Sequence, residues 1–478
     1  MIPMSYAQRN LQIDTFLFRT FLVVLVWAPI PLGSNRPWAW AILEVALYGL
    51  AIVWLVAWAF HRVEASEVFR RARWVLGLWS IWLLYQGLYL IPLPLSLLAT
   101  LSPETARAYA SIADLPGGSG WKTLSVDPHI SAISWMKSLA YVIAFGLTLL
   151  LVNSRIRVKQ LAYTFVFSAL VFSIYGILMH LGEVRTDWLR TPILHGESAS
   201  ATYANRNHFA GYLEMTLAIG IGLLIASLRD GQAETWKKFL QETIELVFSA
   251  KIRLRLYLSI LVIALVSTHS RMGNTAFFSS LLIAGAIGLS MSRYATRNTV
   301  ILLVSLIAID VFIVGSWFGV EKLAKRIEQT TMQEFDDRQA PSDFVLQQIR
   351  ENPWFGSGPN TFYITFPKYR GAGVVQYYDY AHNDYAQFAV ESGLIGIGIL
   401  GTIVIWCLLA ALFAQWQRRD PLMRGMAFAS IMGITAILIH SYVDFNLQIP
   451  ANALIFVVLL ALAWIALHLE RHPSRANN

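Results

Sequence analysis

Two polar segments decide how this chain is organised: Asn352-Pro353-Trp354-Phe355-Gly356-Ser357-Gly358-Pro359-Asn360 and Tyr380-Ala381-His382-Asn383-Asp384-Tyr385. Both lie within residues 320–388, where a charged run is followed by turn residues, aromatics and a histidine near acids. The sequence on either side is apolar enough to lie in lipid. A long polar excursion between membrane helices is where chemistry on a lipid-borne substrate is expected.

The composition assigns the chain to the polytopic membrane proteins. Of its 478 residues 56% are hydrophobic and only 14% are charged, whereas soluble domains carry about 25% charged residues. The single cysteine, Cys407, excludes a disulfide within the chain. The net charge of +8 fits either arginines that set the membrane topology or a phosphate-bearing partner, and composition alone favours the first.

Apolar runs of about twenty residues predict twelve membrane-spanning helices and therefore an all-α polytopic membrane fold. The predicted spans are 16–33, 38–60, 74–95, 134–152, 160–182, 208–228, 256–270, 273–292, 298–319, 386–413, 425–441 and 452–468. Residues 1–319 then hold nine spans with short periplasmic loops. A long periplasmic loop over 320–385 and three further spans within 386–478 complete the predicted organisation.

Basic residues predict the orientation. They concentrate in every second loop and after the last span, at 62–73, 155–159, 237–255, 293–297, 418–424 and 471–475. By the positive-inside rule that side is cytoplasmic, so both termini are expected in the cytoplasm and the long loop outside. The Pro- and Gly-rich loop at 96–133 predicts an irregular surface segment, and apolar spacing within 229–255 predicts a short interfacial helix.

Two arginines on the predicted outward side are candidate anion ligands. Arg271 lies in a very short turn between two spans, beside Gly273, on the side that the positive-inside rule disfavours. Anion binding is therefore favoured there over a membrane anchor. Arg206 lies between two asparagines at the start of the next span, which fits a phosphate site and a capped helix start equally well.

A histidine in the long loop is a candidate general base. His382 lies between Asp379 and Asp384, and a nearby carboxylate would favour the imidazolium and orient the ring. The residues alone slightly favour a simpler role, a loop histidine bonded to an acid. Glu44, Glu214 and Asp310 are predicted to be hydrogen-bonded core acids.

Other chemistries lack their sequence signals. The outward histidines and acids have no metal-ligand spacing, so a metal site is not expected. The Gly-Ser-Gly at 356–358 lacks the ending of a phosphate loop and predicts a tight turn.

The chain resembles the O-antigen ligase superfamily, which also holds Wzy-type polysaccharide polymerases. Four stretches carry the resemblance: Asn205-Arg206-Asn207-His208-Phe209-Ala210-Gly211, Ser270-Arg271-Met272-Gly273, residues 352–362, and Ala381-His382-Asn383-Asp384-Tyr385. A fifth stretch resembles members encoded with exopolysaccharide machinery: His440-Ser441, Asp444-Phe445-Asn446 and Ile449-Pro450-Ala451-Asn452.

The resemblance implies an inverting, metal-independent glycosyltransferase of the GT-C type in the bacterial inner membrane, with no cofactor. Its implied donor is a glycan on undecaprenyl diphosphate, displayed on the periplasmic face. His382 matches the family's loop histidine and Arg271 its Ser-Arg arginine. The second diphosphate-binding arginine is Arg206 or Arg190, because Ala201-Thr202-Tyr203 replaces the usual Gly-Thr-Phe before the motif. The remaining residues interpreted as substrate-binding are Asn205, Asn207, His208, Asn383, Asp384, Asp444 and Asn446.

Four functions compete. The leading hypothesis is a polymerase that joins lipid-linked repeat units of an exopolysaccharide or O-antigen. The alternatives are a ligase acting on lipid A-core, a protein O-oligosaccharyltransferase, and a transporter of lipid-linked sugars. A transporter predicts charged residues lining the membrane interior, whereas the polar clusters here lie at its outward boundary. The expected partners are the lipid-linked donor, a lipid-linked sugar or lipid A-core as acceptor, membrane lipids and a chain-length regulator, with no nucleic acid.

Overall fold

The computed structural model describes residues 6–111, 120–182, 198–227, 250–291, 304–305, 344–370 and 377–470. Helices dominate these ranges. They are α1 (Tyr6–Trp27), α2 (Pro37–Ala59), α3 (Glu67–Arg71), α4 (Arg73–Leu88), α5 (Leu95–Leu101), α6 (Pro103–Ala110), α7 (Pro128–Leu151), α8 (Arg155–Leu181), α9 (Arg206–Ala226), α10 (Ala250–Ser267), α11 (Arg271–Ser290), α12 (Phe362–Thr365), α13 (Asp384–Gln417), α14 (Pro421–His440) and α15 (Pro450–His468). Two short antiparallel strands, β1 (Leu93–Pro94) and β2 (Trp121–Lys122), pair beside α5.

The prediction of an all-α polytopic membrane protein is confirmed. Within the described ranges eight helices are long and apolar enough to cross a membrane, namely α2, α7, α8, α9, α11, α13, α14 and α15. Helices α1, α4 and α10 coincide with three more predicted spans. The predicted span at 298–319 and most of the predicted interfacial helix lie outside the described residues, so the count of twelve stays a prediction.

Three helices form the centre of the bundle. In the most apolar 18-residue stretches of α9, α14 and α15, 89%, 78% and 94% of the residues are buried. In the corresponding stretch of α13 only 28% are buried. Glycines explain the closest crossing, because a Cβ on Gly222 of α9 would meet the Gly425 carbonyl oxygen of α14 at 2.3 Å. Small residues let membrane helices approach until their backbones touch. The outer helices instead expose side chains such as Val45 and Leu84, which suits contact with lipid tails.

Residues 96–133 are more regular than the sequence indicates. The segment was expected to be irregular, but α5, α6 and the β1–β2 pair occupy much of its described part. Pro103 is the first residue of α6, where its missing N–H costs no hydrogen bond and its fixed φ favours the helix. The proline that suggested irregular chain therefore begins a helix.

The two ends of the bundle differ in charge chemistry. At one end basic residues from separate loops form ion pairs, including Arg71 with Glu470 at 2.9 Å and Arg155 with Asp420. Asp420 is the N-cap of α14. His440, the last residue of α14, lies at the other end, where α9, α11 and α13 begin. The basic loops that were predicted to share one side thus meet at one end of the bundle, and the candidate site residues meet at the other.

Candidate active site

Both candidate arginines are the first residues of helices. The Asn205 side chain caps α9 by accepting a hydrogen bond from the Asn207 N–H at 2.9 Å. Ser270 caps α11 in the same way, accepting from the Gly273 N–H at 3.2 Å. A helix N-terminus carries partial positive charge and unpaired N–H groups. Arg206 and Arg271 therefore add a full positive charge where the backbone already favours an anion.

These two helix starts lie against each other. A Cβ on Gly273 would be 2.6 Å from the Cβ of Ala210, so only glycine permits this approach of α11 to α9. The Ser198 hydroxyl accepts a hydrogen bond from Arg206 Nη1 at 3.0 Å and lies 3.2 Å from Nδ1 of His269. His269 comes two residues before Arg271. The two arginines thus belong to one corner of the protein.

His382 is held in a fixed backbone position. Its φ of 50° lies in the left-handed region, which residues other than glycine seldom adopt. The neighbours on both sides are anchored: the Ala381 N–H donates to Gln387 Oε1 at 2.7 Å, and the Asp384 N–H donates to the Ser441 carbonyl at 2.9 Å. The half-buried imidazole meets the Phe445 ring edge to face, at 4.9 Å between centroids. The ring is therefore positioned before any substrate arrives.

Asn383 and Asp384 hold the local structure around His382. The Asn383 side chain caps α13 by accepting from the Ala386 N–H at 3.0 Å. Asp384 is buried, and one of its oxygens accepts from the Ser441 hydroxyl at 2.8 Å and the Leu447 N–H at 3.1 Å. These contacts join the start of α13 to the turn after α14. Both residues were interpreted as substrate-binding, and the structure gives each of them contacts that position the histidine.

Phe445 joins the two histidine-bearing motifs. Tyr380 stacks on its ring at 4.5 Å, and the rings of His382 and His208 meet it edge to face at 4.9 and 4.7 Å. His208 Nε2 also lies 3.5 Å from an oxygen of Asp444. Burial by itself would raise the pKa of Asp444, but His208, with the charges of His440 and His382, holds that pKa below its usual value. Asp444 is therefore a buried carboxylate facing histidines from three motifs.

A second buried pair lies beneath the arginine corner. Glu214 Oε1 is 2.8 Å from His440 Nδ1, and both side chains are fully buried. The sequence predicted Glu214 to be a hydrogen-bonded core acid, and it grouped His440 with Asp444 instead. No sequence signal marked the pair: Glu214 lies one helical turn beyond Ala210, but only the structure shows that Ala210 contacts Gly273 at the start of α11. The pair thus fixes α9 and α14 directly below the helix starts.

The C-terminal motif forms a buried amide network. The Asn452 side-chain N–H₂ donates to Asn446 Oδ1 at 2.9 Å and to the His208 carbonyl at 2.8 Å. Tyr203 donates its hydroxyl proton to Asn452 Oδ1 at 3.1 Å. A Cβ on Gly211 would lie 2.2 Å from Asn446 Oδ1, so the glycine makes room for the amide. Asn446 was interpreted as substrate-binding, but it is fully buried and holds α9 against the start of α15.

The 352–360 segment folds as a tight turn docked on a kink in α13. Gly356 has a φ of 65°, and the kink residue Gly393 has a φ of 63°. A Cβ on Gly393 would lie 2.1 Å from the Trp354 carbonyl oxygen. The Ser357 N–H donates to the Val390 carbonyl at 2.9 Å. The segment's glycines therefore serve packing. The tight turn predicted at 356–358 is displaced, because the turns lie at 353–355 and 359–360 and the Gly-Ser-Gly between them bonds to the backbone of α13.

The aromatics of the long loop divide into two groups. Phe355 stacks on Tyr85 at 6.4 Å and Tyr380 stacks on Phe445, so these rings are engaged with the protein. Trp354 and Tyr377 are exposed. Of these four, the exposed pair has ring faces free to stack on sugar or to lie at the membrane interface.

All but one of the candidate site residues lie in the described part of the chain, and these lie at one end of the bundle. Arg190, the alternative to Arg206, lies outside the described residues. Arg206, Arg271 and His382 all lie at the same end of the bundle, together with the residues interpreted as substrate-binding: Asn205, Asn207, His208, Asn383, Asp384, Asp444 and Asn446. Within the described part of the chain, no three His, Cys, Asp or Glu side chains group so as to hold a metal ion.

Comparison with known protein families finds a match to part of the chain. Residues 256–401 match the family model described as O-antigen ligase. No curated protein matches the chain. The matched segment includes three of the stretches that carried the resemblance, those with Arg271, residues 352–360 and His382. The stretch that begins at Asn205 and the C-terminal stretch lie outside it. The match covers 146 of the 478 residues and supports the resemblance to the O-antigen ligase and Wzy polymerase superfamily.

Proposed function

We propose that this protein is an inner-membrane glycosyltransferase that moves a glycan from undecaprenyl diphosphate to a sugar hydroxyl on the periplasmic face. The observation that carries the proposal is the corner formed by Arg206 and Arg271, two guanidiniums at the touching N-termini of α9 and α11. A diphosphate suits this corner because guanidinium forks, helix dipoles and backbone N–H groups all favour bound phosphate oxygens.

The arginine corner matches the demands of the leaving group. When the glycosidic bond breaks, the departing diphosphate gains negative charge. Preorganised cations that hold this charge lower the barrier without reorganising during the reaction. Arg271 and Arg206 perform the charge stabilisation that a metal ion gives in other glycosyl transfers. The expected reaction is therefore independent of metal.

His382 acts on the acceptor. Its imidazole takes the proton of the sugar hydroxyl, or aligns that hydroxyl, as the oxygen attacks the anomeric carbon opposite the diphosphate. Attack from the opposite face inverts the anomeric configuration. The left-handed backbone at His382 and its contact with Phe445 support this role, because a general base works best when its ring is already placed.

We favour polymerisation of lipid-linked repeat units. The C-terminal motif, with Asp444 and Asn446, resembles exopolysaccharide members of the superfamily. A ligase that transfers the glycan to lipid A-core is the second candidate, favoured by the description of the matched family model. Both reactions use the same donor and differ in the acceptor.

The test is reconstitution with defined acceptors. Purified protein given only an undecaprenyl-diphosphate-linked repeat unit should build a ladder of longer glycans, and His382→Ala should suppress it. A single transfer to lipid A-core, with no ladder when lipid A-core is left out, would show that the protein is a ligase rather than a polymerase. Movement of lipid-linked sugar across liposome membranes, without transfer to either acceptor, would refute the proposal that the protein is a glycosyltransferase.

A further inference from the structure

A cleft whose lining includes Tyr380 and Asp384, close to His382 in the chain, runs along the bundle between α4, α7, α13 and α15. Its volume is about 390 Å³, and its walls include Trp79, Trp82, Leu400, Val404, Phe456 and Leu460. Along α13 the lining extends from Asp384 to Ile405, on both sides of the kink at Gly393. Ile405 is exposed, so the cleft opens towards lipid.

One wall of the cleft carries a stripe of hydrogen-bond donors. Ser134, Lys137, Ser138 and Tyr141 occupy positions i, i+3, i+4 and i+7 of α7, which place them on one helical face, and all four line the cleft. Gln86 of α4 adds an amide. Polar side chains inside membrane spans are costly and commonly mark a substrate path.

Lys137 gives this wall its charge. Its ammonium lies 3.6 Å from the centroid of the Trp40 ring, and among the described residues no carboxylate oxygen is within 4.0 Å of it. Glu391 also lines the cleft, but its Oε1 accepts hydrogen bonds from the Gln387 amide at 2.5 Å and the Phe362 N–H at 3.3 Å. An ammonium among hydroxyl donors, above apolar walls, complements a phosphate on a long hydrocarbon chain.

We propose that this cleft seats a second phosphate-bearing polyprenyl lipid, the lipid-linked acceptor; this rests on the proposed polymerase function. One donor diphosphate occupies the arginine corner of α9 and α11, so a second lipid-linked chain needs a separate phosphate site. Tyr380 lines the cleft and stacks on Phe445, the ring that also meets His382. Phe445 thus links His382 to the cleft through Tyr380 and to α9 through His208. An acceptor in the cleft would bring its sugar to the side of His382, where it has to meet the donor's anomeric carbon.

Two glycines of α13 offer a matched pair for testing the cleft. A Cβ on Gly401 or on Gly398 would meet nothing within 4 Å, but only Gly401 lines the cleft. Gly401→Phe should fill the part of the cleft that binds the hydrocarbon chain, and Gly398→Phe should leave the cleft open. Lys137→Met removes the charge at similar length, Lys137→Arg keeps it, and Lys159→Met on an exposed position of α8 is the control.

Binding of undecaprenyl phosphate to the full-length purified protein, measured by native mass spectrometry, tests the seat without any transfer. The arginine corner should hold one lipid in every variant, so the second bound lipid is the readout. Lys137→Met should weaken binding of that second lipid about tenfold, as for one lost charge-assisted phosphate contact, and Gly401→Phe should abolish most of it. Gly398→Phe, Lys137→Arg and Lys159→Met should bind as the wild type does. Wild-type binding by Gly401→Phe, or equal occupancy by phosphatidylglycerol or undecaprenol, would overturn the proposal.

Transfer kinetics provide a second test of whether the cleft binds the lipid of the acceptor. With the lipid-linked acceptor, Lys137→Met should raise KM about tenfold. With a soluble sugar acceptor that carries no lipid, the same variant should react at the wild-type rate. Equal losses on both acceptors would contradict an acceptor seat. If no acceptor supports transfer but the binding differences hold, the lipid seat stands and the proposed polymerase function fails.

Discussion

The 352–360 turn and the arginine corner are both parts of recognisable motifs, yet their side chains serve different ends. In the turn, glycines and backbone groups are used to dock on the Gly393 kink of α13. In the corner, Asn205 and Ser270 cap two helices, and the arginines that follow extend from the touching helix starts. The comparison shows that a recognisable motif can mark residues that hold the fold together as well as residues that take part in a reaction. Substitutions in the two regions should separate these effects.

The largest effect is expected at Arg271. Arg271→Ala should lower transfer by about a hundredfold or more, because a phosphate contact that strengthens in the transition state contributes about 3 kcal/mol. Its melting temperature should stay near that of the wild type, because the cap of α11 comes from Ser270. Turnover of the purified variant and its melting curve are the two measurements.

Two further variants test whether the effect of Arg271→Ala is specific to its guanidinium and to its position. Arg271→Lys should not restore full activity, because an ammonium lacks the two-pronged geometry of the guanidinium. Arg36→Ala is the matched control, an exposed arginine that begins α2 on the same predicted side. Near-normal turnover by Arg271→Ala, or a loss of equal size in Arg36→Ala, would remove the arginine corner from the mechanism.

The second effect is on stability and concerns the kink of α13 on which the turn docks. Gly393→Ala should destabilise the protein by about 2 kcal/mol or more, since it adds backbone strain and a Cβ that overlaps the Trp354 carbonyl. Gly398→Ala on the same helix meets no neighbouring atom and is the control. Thermal unfolding in detergent gives the comparison. A Gly393→Ala protein that melts like Gly398→Ala would mean that the kink tolerates a side chain.

Much of this architecture follows from the sequence. Hydrophobic run length located the described spans, because satisfying backbone polar groups in lipid demands helices of bilayer length. The turn chemistry of Gly356 and the placement of Arg271 beside Gly273 also follow from local residue types. These features depend on a few neighbouring residues, and such features are what a single sequence exposes.

Contacts between distant helices could not be predicted in the same way. Nothing local couples Glu214 to His440, or Asn446 to Asn452 and Gly211, because these pairs depend on how α9, α14 and α15 pack. For the same reason Asp384 and Asp444 were interpreted as substrate-binding without any sign that both are buried. The sequence marks the chemistry of a side chain, whereas burial is a property of the assembled bundle.

A smaller, pH-dependent effect should separate Asp444 from the exposed acids. Its folded-state pKa lies below the usual value, so its charge stabilises the fold above about pH 4, the ordinary aspartate range. That contribution is lost as the pH falls through the lowered folded-state pKa. The stability advantage of the wild type over Asp444→Asn should therefore shrink below about pH 4. An advantage independent of pH would assign Asp444 a purely steric role.

The smallest expected effect is that of chelation, which should change nothing. If the arginine corner carries the charge of the departing diphosphate, turnover in EDTA should equal turnover in buffer, because guanidinium forks and helix N-termini need no ion to hold phosphate. The described residues offer no three-ligand group of His, Cys, Asp or Glu beside that corner. The assay compares initial rates in EDTA, in magnesium and in manganese, with Arg271→Ala carried in parallel. Activity lost in EDTA and recovered with magnesium would show that a cation shares the diphosphate charge, and the arginines would then be accessory to it.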